Sequence, residues 1–154
     1  MQEATIRSTK VTIRPAKLDD IQQVIRLDHQ ITGVPKLKYW ESVFERYGAE
    51  VADHFFLVAV RNKRVVGLII GELRAWEFGE PPCGWIFTIL VDSEIRLDGI
   101  GSILFKAICD NFRNANVTKV RTMLARDAPI IASFFRSQGM VAGPFTELEM
   151  GLDE

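Results

Sequence analysis

Residues 96–102 have the composition of a loop that binds an anion. Gly99 and Gly101 lack side chains, so a ligand can approach the backbone closely. Apolar residues at helical spacing follow from Ile100 onward, and the first N–H groups of such a helix have no partner within it. Arg96 adds a fixed positive charge. The spacing therefore predicts a turn and a helix N-terminus that together hold a phosphate group.

Two common phosphate-binding motifs do not fit this segment. A dinucleotide fingerprint needs a third glycine where the chain has Leu104, and an acidic residue about twenty positions further on, where residues 117–120 read Val-Thr-Lys-Val. A P-loop needs a lysine directly after its last glycine, and Gly101 is followed by Ser102. What remains is Arg-x-x-Gly-x-Gly after an apolar stretch, 85–91, with the length and composition of a buried strand.

Periodicity and turn residues predict the elements that position this loop. An alternating segment before Pro15 predicts a strand, and Asp19 and Asp20 precede a helical repeat that Gly33 ends. The polar pair at 62–63 between two apolar runs predicts a hairpin. The predicted strands are 11–16, 55–60, 64–73, 85–91 and 117–124, with one or two more within 140–150, and the predicted helices are 21–32, 37–47, 100–113 and 129–137.

Length, charge and cysteine content narrow the class of protein. The 154 residues are typical of one domain, so we expect a single domain over 1–154 with a flexible terminus at 1–9. A formal net charge of −1 gives no electrostatic reason to expect nucleic acid or an anionic membrane as a partner. No segment reads as a membrane span or a secretion signal, which favours a cytoplasmic location. Cys83 and Cys109 lie far apart and suggest neither a disulfide framework nor a metal site.

The Arg-x-x-Gly-x-Gly pattern resembles the acyl-coenzyme A pyrophosphate loop of the GNAT superfamily of N-acetyltransferases, whose pattern is Gln/Arg-x-x-Gly-x-Gly/Ala. The predicted order β-α-α-β-β-β-α-β-α-β, with a further strand allowed at the end, also matches that family over nearly the whole chain. Residues 131–140 resemble the family's penultimate helix, which usually ends Phe-Tyr-x-x-x-Gly-Phe. The resemblance implies an α/β fold, one domain with a mixed sheet whose central parallel strands splay apart.

The resemblance implies acetyl-CoA as the cofactor, with CoA as the product. The backbone of the central strand would bind the pantetheine arm like an added strand, and the N–H of Leu90 would stabilise the oxyanion of the reaction. The later helix would approach the thiol arm or the adenosine. The residues implied to bind the cofactor are Ile89, Leu90, Val91, Arg96, Leu97, Asp98, Gly99, Ile100, Gly101, Ser102, Phe134 and Arg136.

The candidate catalytic side chains depart from the family pattern. Phe135 stands where members often carry a tyrosine that returns a proton to the thiolate, and phenylalanine has no proton to give. Trp85 stands where some members carry a glutamate that acts as the general base. Glu72, at the end of the third strand, is the best-placed substitute for that base. The other bases left open are Glu77, Glu80, His29 and His54, and the aromatic candidates for an acceptor pocket are Trp40, Trp76 and Phe78.

Together these features predict an N-acetyltransferase in which a primary amine attacks the thioester of acetyl-CoA directly. The amine is borne by a small molecule, a peptide or a protein. Deprotonating a lysine-type amine costs about 4–5 kcal/mol at pH 7 and an α-amine about 1 kcal/mol, so a site without a strong base favours an α-amine, an aromatic amine or a chain of waters. The alternative is a non-catalytic module that binds acyl-CoA, and a Rossmann-type nucleotide-binding fold is a third reading. A homodimer through the C-terminal strands is compatible with the sequence, and no metal is expected.

Overall fold

The structure, a computed structural model, describes residues 10–48 and 53–153. The chain forms two compact units, one up to Met123 and one from Leu124 onward. Within the described residues, the first unit contains five strands and three α-helices, and the second contains one α-helix. The predicted flexible terminus, residues 1–9, lies outside the described residues.

One sheet organises the first unit, and its strands lie side by side in the order in which they occur along the chain. Neighbouring strands are antiparallel except for the last pair, which is parallel. The strands are β1 (Thr12–Pro15), β2 (His54–Arg61), β3 (Arg64–Arg74), β4 (Cys83–Val91) and β5 (Val120–Thr122), and the α-helices are α1 (Ile21–Thr32), α2 (Leu37–Tyr47), α3 (Ile100–Asn114) and α4 (Pro129–Ser137). The predicted α/β fold with a mixed sheet, and the order of its elements up to α4, are therefore confirmed.

The helices α1 and α2 supply the core on one face of the sheet. Val24 and Leu27 of α1 and Trp40 and Phe44 of α2 are buried in one cluster with strand residues such as Phe56. Within each helix these residues are three or four positions apart, so they form a single apolar stripe. Removing this stripe from water drives the two helices onto the sheet.

A buried carboxylate fixes α1 against α2. Asp28 is 3% exposed, and its Oδ2 accepts a hydrogen bond from Trp40 Nε1 at 2.9 Å and pairs with Lys36 Nζ at 3.2 Å. A buried carboxylate needs such partners because removing its charge from water is costly. The helix α1 ends at Thr32 because Gly33 takes the left-handed conformation, with φ of 75°, as the sequence predicted. Trp40, a candidate for the acceptor pocket, is thus a core residue.

Three glycines let α3 lie close to the other face of the sheet. A Cβ on Gly67 would lie 3.0 Å from Leu104, and a Cβ on Gly84 would lie 2.5 Å from Phe112. Gly71 is similarly crowded, with Phe112 at 2.9 Å. No larger residue fits at these positions without displacing the helix. The close contact fixes the start of α3 relative to β3 and β4.

The end of the chain differs from the prediction. The sequence predicts one or two strands within 140–150, but residues 140–153 form neither strand nor helix, and residues 141–153 are exposed. A strand persists only when its N–H and C=O groups find partners, and Pro144 in this segment has no N–H to offer. The predicted last strands are therefore wrong. The strand β5 is likewise shorter than the predicted segment 117–124.

Candidate active site

The parallel pair β4–β5 is short, and the two strands then separate. Only Gly84–Ile86 pairs with Val120–Thr122. The Thr122 hydroxyl donates to the Ile86 carbonyl at 2.7 Å and so takes the place of a further ladder bond. Beyond this point, residues 87–91 of β4 have no strand partner on the side away from β3 within the described sheet. We call this side of residues 87–91 the open edge, and it confirms the predicted splay.

A bulge in β4 decides which residues face the open edge. The ladder with β3 pairs Gly71 with Ile86 and Ile70 with Thr88, which leaves Phe87 as an extra residue. An inserted residue reverses the alternation along the strand. Residues whose backbone groups face β5 are therefore even-numbered before the bulge and odd-numbered after it.

The alternation can be fixed from one hydrogen bond at the end of β4. The Asp92 N–H donates to the Val66 carbonyl at 2.8 Å. Hydrogen-bonded and non-hydrogen-bonded pairs alternate in an antiparallel ladder, so Leu90 also bonds β3, while Ile89 and Val91 direct their N–H and C=O groups to the open edge. This geometry argues against the predicted Leu90 amide as the oxyanion donor and favours the amides on either side of it.

The predicted anion-binding loop, residues 96–102, leads from the open edge into α3. Gly99 has a left-handed backbone with φ of 78°, and a Cβ placed there would have no atom within 4 Å. The helix α3 begins at Ile100, so the N–H groups of its first turn have no partner within the helix. The backbone is arranged as an anion site requires. Cofactor binding by this loop stays a prediction.

One ion pair and one capping hydrogen bond hold the loop in place. Asp92 Oδ1 accepts from the Glu94 N–H at 3.0 Å, which caps the first turn after β4. Arg61 Nη1 pairs with Asp98 Oδ2 at 2.7 Å and ties the loop to the end of β2. Arg96 is exposed, and no ion pair engages it among the described residues. Its charge is thus available to an anionic ligand.

The second unit contains the later helix that was predicted to approach the cofactor. Helix α4 begins with Pro129 in its first turn, as predicted. The rings of Phe134 and Phe135 are 5.2 Å apart in an edge-to-face contact, Phe135 is buried, and Arg136 is exposed. The roles of Phe134 and Arg136 in cofactor binding stay predictions.

A row of four polar or aromatic side chains crosses the sheet. The ladders pair His54 with Glu72, Glu72 with Trp85, and Trp85 with Arg121. Directly paired residues on neighbouring strands project to the same face. We call these four residues the Glu72 row. Two of them, Glu72 and His54, were candidate bases that lie far apart in the sequence.

Glu72 is the hub of this row. Its carboxylate accepts from Arg74 Nε at 3.0 Å and from the Tyr47 hydroxyl at 3.3 Å, and it lies 3.7 Å from His54 Nε2. His54 Nδ1 lies 3.2 Å from the carbonyl of Arg46. A carbonyl only accepts, so Nδ1 carries the proton and Nε2 is directed toward Glu72. The contact of Arg74 with Glu72 could have been found from the sequence, because residues two apart in a strand lie on the same side. No sequence pattern indicates the contact of Tyr47 with Glu72.

Aromatic contacts join the Glu72 row to the open edge. The ring of Phe87, the bulge residue, lies 5.1 Å from the ring of Tyr47, which in turn lies 4.7 Å from His54. The Arg74 guanidinium lies 4.8 Å from the centre of the Trp85 ring. The Trp85 indole N–H is buried, and it has no acceptor among the described residues. The two candidate parts of the site are therefore contiguous.

The other candidate bases are placed less favourably. Glu77 pairs with Arg74 at 3.7 Å, and Glu80 pairs with Lys119 at 3.5 Å. His29 is exposed in the last turn of α1, and no contact with the Glu72 row is seen in the described chain. Arg74 pairs with Glu72 as well, at 3.0 Å, so Glu72 is distinguished from these candidates only by its further contacts with Tyr47 and His54.

Neither cysteine is placed as a nucleophile. Cys83 and Cys109 are buried, and burial raises the pKa of the Cys109 thiol. In residues 10–48 and 53–153, no group of three or more His, Cys, Asp or Glu side chains is arranged to hold a metal ion. Nor is any helix in those residues both long and apolar enough to cross a bilayer.

Comparisons with known proteins agree with this geometry. A model of the acetyltransferase (GNAT) family matches residues 19–140. No curated protein sequence matches the chain significantly. Several solved structures share the fold, but their sequence identities to this chain are so low that they show the fold alone.

Three solved structures illustrate the likeness. The aminoglycoside N-acetyltransferase AAC(6')-Iy in complex with CoA has a TM-score of 0.84 at 12% identity, covering 96% of this chain and 99% of that one. Glucosamine-6-phosphate N-acetyltransferase from Arabidopsis thaliana has a TM-score of 0.73 at 18% identity, with coverage of 94% and 99%. A transcriptional regulator from Bacillus halodurans C-125 has a TM-score of 0.79 at 18% identity, with coverage of 93% and 100%.

Proposed function

The chain belongs to the acetyltransferase (GNAT) family, and on that premise we propose that it transfers an acetyl group from acetyl-CoA to a primary amine. The observation that carries the proposal is the open edge of β4, which runs directly into the glycine loop at the start of α3. An unpaired strand edge attracts an extended ligand, and a helix N-terminus attracts a phosphate. Acyl-CoA has both groups, a pantetheine arm with amides and a pyrophosphate.

The backbone amides facing the open edge bind the cofactor. Ile89 and Val91 hydrogen-bond the pantetheine arm, the amides of residues 97–102 hold the pyrophosphate, and Arg96 neutralises part of its charge. Phe134 and Arg136 complete the binding of the thiol arm or the adenosine. Because this fit rests on backbone groups, substitutions at Gly99 and Gly101 should affect binding more than substitutions of the side chains around them.

The reaction needs one hydrogen-bond donor to the oxyanion, and it needs the amine and the thioester to be held close together. Acetyl-CoA supplies a thioester carbonyl; the amine nitrogen forms the new C–N bond, the C–S bond breaks, and the CoA thiolate leaves. The Ile89 N–H stabilises the oxyanion, in place of the Leu90 N–H that the sequence predicted. Holding the two reactants together supplies much of the remaining acceleration.

Glu72 removes the proton from the amine through intervening water. Its ladder partner Trp85 is four residues from Ile89 along β4, roughly 13 Å at about 3.3 Å per residue, so direct transfer is out of reach. His54 Nε2 lies 3.7 Å from the Glu72 carboxylate, close enough for an imidazolium to pair with it. Phe135 cannot return a proton to the thiolate, so that proton comes from water.

Isothermal titration with acetyl-CoA, CoA and NAD tests the cofactor and its site. Gly99→Glu places a carboxylate against the pyrophosphate, and we expect binding of acetyl-CoA to weaken about 100-fold or more. Gly33→Glu is the matched control, because Gly33 has φ of 75° and is equally uncrowded but lies at the end of α1. Arg96→Ala should weaken binding about 10-fold. Equal binding by both glutamate variants, or preference for NAD, would contradict the proposal.

A second function, a non-catalytic acyl-CoA-binding module, is favoured by two substitutions. Phe135 stands where members of the family often carry the acid, and Trp85 stands where some members carry the base. Release of thiol from acetyl-CoA in the presence of a panel of amines separates the two functions. Amine-dependent release by the wild-type protein supports the transferase, and tight acetyl-CoA binding without any release supports the module.

A further inference from the structure

Residues 146–153, which we call the tail, have the sequence of a strand but no strand partner. Leu148, Met150 and Leu152 alternate with polar or small residues, which is the pattern of a strand with one apolar face. Their side chains are 91%, 80% and 87% exposed, and no hydrogen bond joins the tail to any other described residue. A group of exposed apolar side chains on one face marks a surface that binds another molecule.

The sheet has an unpaired edge at β5. The Gly84 N–H donates to the Lys119 carbonyl at 2.9 Å, and Gly84 pairs with Val120 in the ladder. Backbone groups alternate in direction along a strand, so those of Val120 and Thr122 are directed away from β4. Because β5 is the last strand of the described sheet, it presents these groups to a further strand.

The opposite edge of the sheet, at β1, is less suited to a further strand. The Ala16 N–H donates to the Phe56 carbonyl at 2.8 Å, so the alternation directs the backbone of Pro15 outward. Proline has no N–H, and a proline on an edge strand prevents regular pairing with another chain. The strand β5 contains no proline.

The apolar side of the tail matches one face of β5. Val120 pairs with Gly84, and a Cβ on Gly84 would face Phe112 of α3. Directly paired residues project to the same face, so Val120 also lies on the α3 side of the sheet. A tail strand with Leu148 opposite Val120 places its apolar side chains on that side, where they are removed from water.

The same register brings opposite charges together on the other face. In either direction of the added strand, the two glutamates that flank Leu148 lie opposite Lys119 and Arg121. Glu80 lies 3.5 Å from Lys119 and 3.9 Å from Arg121, so these three side chains together carry one net positive charge. The next ionised group of the row, Glu72, is two strands away, roughly 10 Å, where salt screens it. The tail has acidic residues and no basic one, so two tails repel each other while β5 attracts a tail.

We propose that the tail of one copy of the chain pairs with the outer edge of β5 in a second copy, and that the exchange is reciprocal. Each copy has one such edge and one tail, so a two-fold symmetric dimer satisfies both at once. The five-stranded sheet of each copy then gains a strand that the chain on its own does not form. The dimer does not depend on acetyl transfer, because the tail pairs with β5 and leaves the open edge of β4 to the cofactor.

Light scattering during size-exclusion chromatography tests the dimer in the full chain. The wild type should have twice the mass of one chain at high micromolar concentration. Substituting both Leu148→Asp and Met150→Asp places carboxylates on the apolar face of each tail and should weaken association about 100-fold or more, which gives a monomer. Val141→Asp is the matched control, because Val141 is 87% exposed but lies outside the tail, and this variant should remain a dimer. A monomeric wild type, or a dimeric double variant, would overturn the proposal.

A disulfide between two copies shows which edge the tail occupies. One protein carries Leu148→Cys and the other Val120→Cys, since directly opposite residues are close enough for a disulfide. After mixing and mild oxidation, a linked pair of the two variants should be seen on a non-reducing gel, and the native cysteines are buried. Ile13→Cys, in the edge strand β1, is the control partner and should not link to Leu148→Cys. Equal linkage through Ile13→Cys, or none through Val120→Cys, would overturn the proposal.

Calorimetry with acetyl-CoA separates the dimer from the proposed function. The monomeric double variant should bind acetyl-CoA as tightly as the wild type does. Tighter binding by that variant would show that the tail covers the open edge of β4, and it would overturn the pairing with β5. A dimeric wild type that does not bind acetyl-CoA would support the dimer and remove the transferase.

Discussion

The open edge and the Glu72 row lie on the same strand, yet they are built in different ways. The open edge presents backbone groups of Ile89 and Val91, whose orientation is set by the ladder and the bulge. The Glu72 row presents side chains from four strands, brought together by their register. A site made of backbone tolerates changes of side chain, whereas a site made of side chains changes with every substitution. The first suits an invariant cofactor and the second a variable acceptor.

The largest effect is expected where the row depends on one side chain. Glu72→Gln should lower kcat about 10²–10⁴-fold by removing the proton acceptor, while acetyl-CoA binding at the open edge stays unchanged. The difference in kcat between the wild type and Glu72→Gln should become smaller above about pH 9, because more of the amine is already deprotonated there. Steady-state kinetics across pH, with calorimetry of acetyl-CoA, measure both. Glu45→Gln, at an exposed glutamate of α2, is the control and should change kcat less than about threefold. If Glu72→Gln also weakened the binding of acetyl-CoA, the Glu72 row and the open edge would not have separate roles.

Proline substitutions test the open edge, because proline removes one N–H. Leu90→Pro breaks a ladder bond with β3 and should destabilise the fold by about 3 kcal/mol or more. Ile89→Pro removes an N–H that faces away from β3, so the fold should survive while acetyl transfer falls about 10²–10³-fold. Denaturant unfolding and thiol-release assays give the two readouts. A folded, active Ile89→Pro protein would show that another amide binds the oxyanion.

A substitution at Asp20 should change stability without affecting either region. Asp20 is buried, and its carboxylate accepts two hydrogen bonds from Arg14, at 2.7 and 2.8 Å, and one from the Lys17 N–H. These bonds, chiefly those from Arg14, lower the pKa of Asp20 in the folded state. Asp20→Asn should cost about 2 kcal/mol at pH 7 and leave kcat of the folded protein unchanged.

The loss of stability in Asp20→Asn should depend on pH, because the pKa of Asp20 is lowered in the folded state. Because the folded pKa lies below the unfolded value of about 3.9, the stabilisation is complete above that value and is lost as pH falls through the folded pKa. Unfolding of the wild type and of Asp20→Asn should therefore converge in acid. A gap that stayed constant down to strongly acidic pH would show that the carboxylate charge is not what stabilises the fold.

The smallest effect concerns the buried thiol of Cys109 in α3. Burial raises the pKa of Cys109, so its reaction with a thiol reagent at neutral pH should be slower than that of a free thiol by about tenfold or more. Unfolding should restore the full rate. Fast labelling of native protein would mean that α3 does not lie closely on the sheet, and the fixed position of the anion-binding loop would be in doubt.

The glycine loop and α3 beside the open edge could be predicted from the sequence, whereas the contacts within the Glu72 row could not. Gly99, Gly101 and the apolar period that follows are local signals, and they located the loop and α3. The contact between Tyr47 and Glu72 joins residues 25 positions apart and depends on how α2 packs, which no local pattern encodes. The bulge at Phe87 gave no glycine or proline signal, so the orientation of Leu90 was predicted without it. The final strands failed because apolar residues alone do not supply a partner.

The alternation along β4 has a consequence for hydrogen–deuterium exchange. In the free protein, the amide of Leu90 is locked to β3 and should exchange slowly, while those of Ile89 and Val91 face the separation between β4 and β5 and should exchange quickly. Three consecutive amides of one strand would then show a fast, slow, fast pattern. A ligand that pairs with the open edge would slow the outer two and leave the middle one as it was, so exchange at single-residue resolution would trace the ligand's position amide by amide.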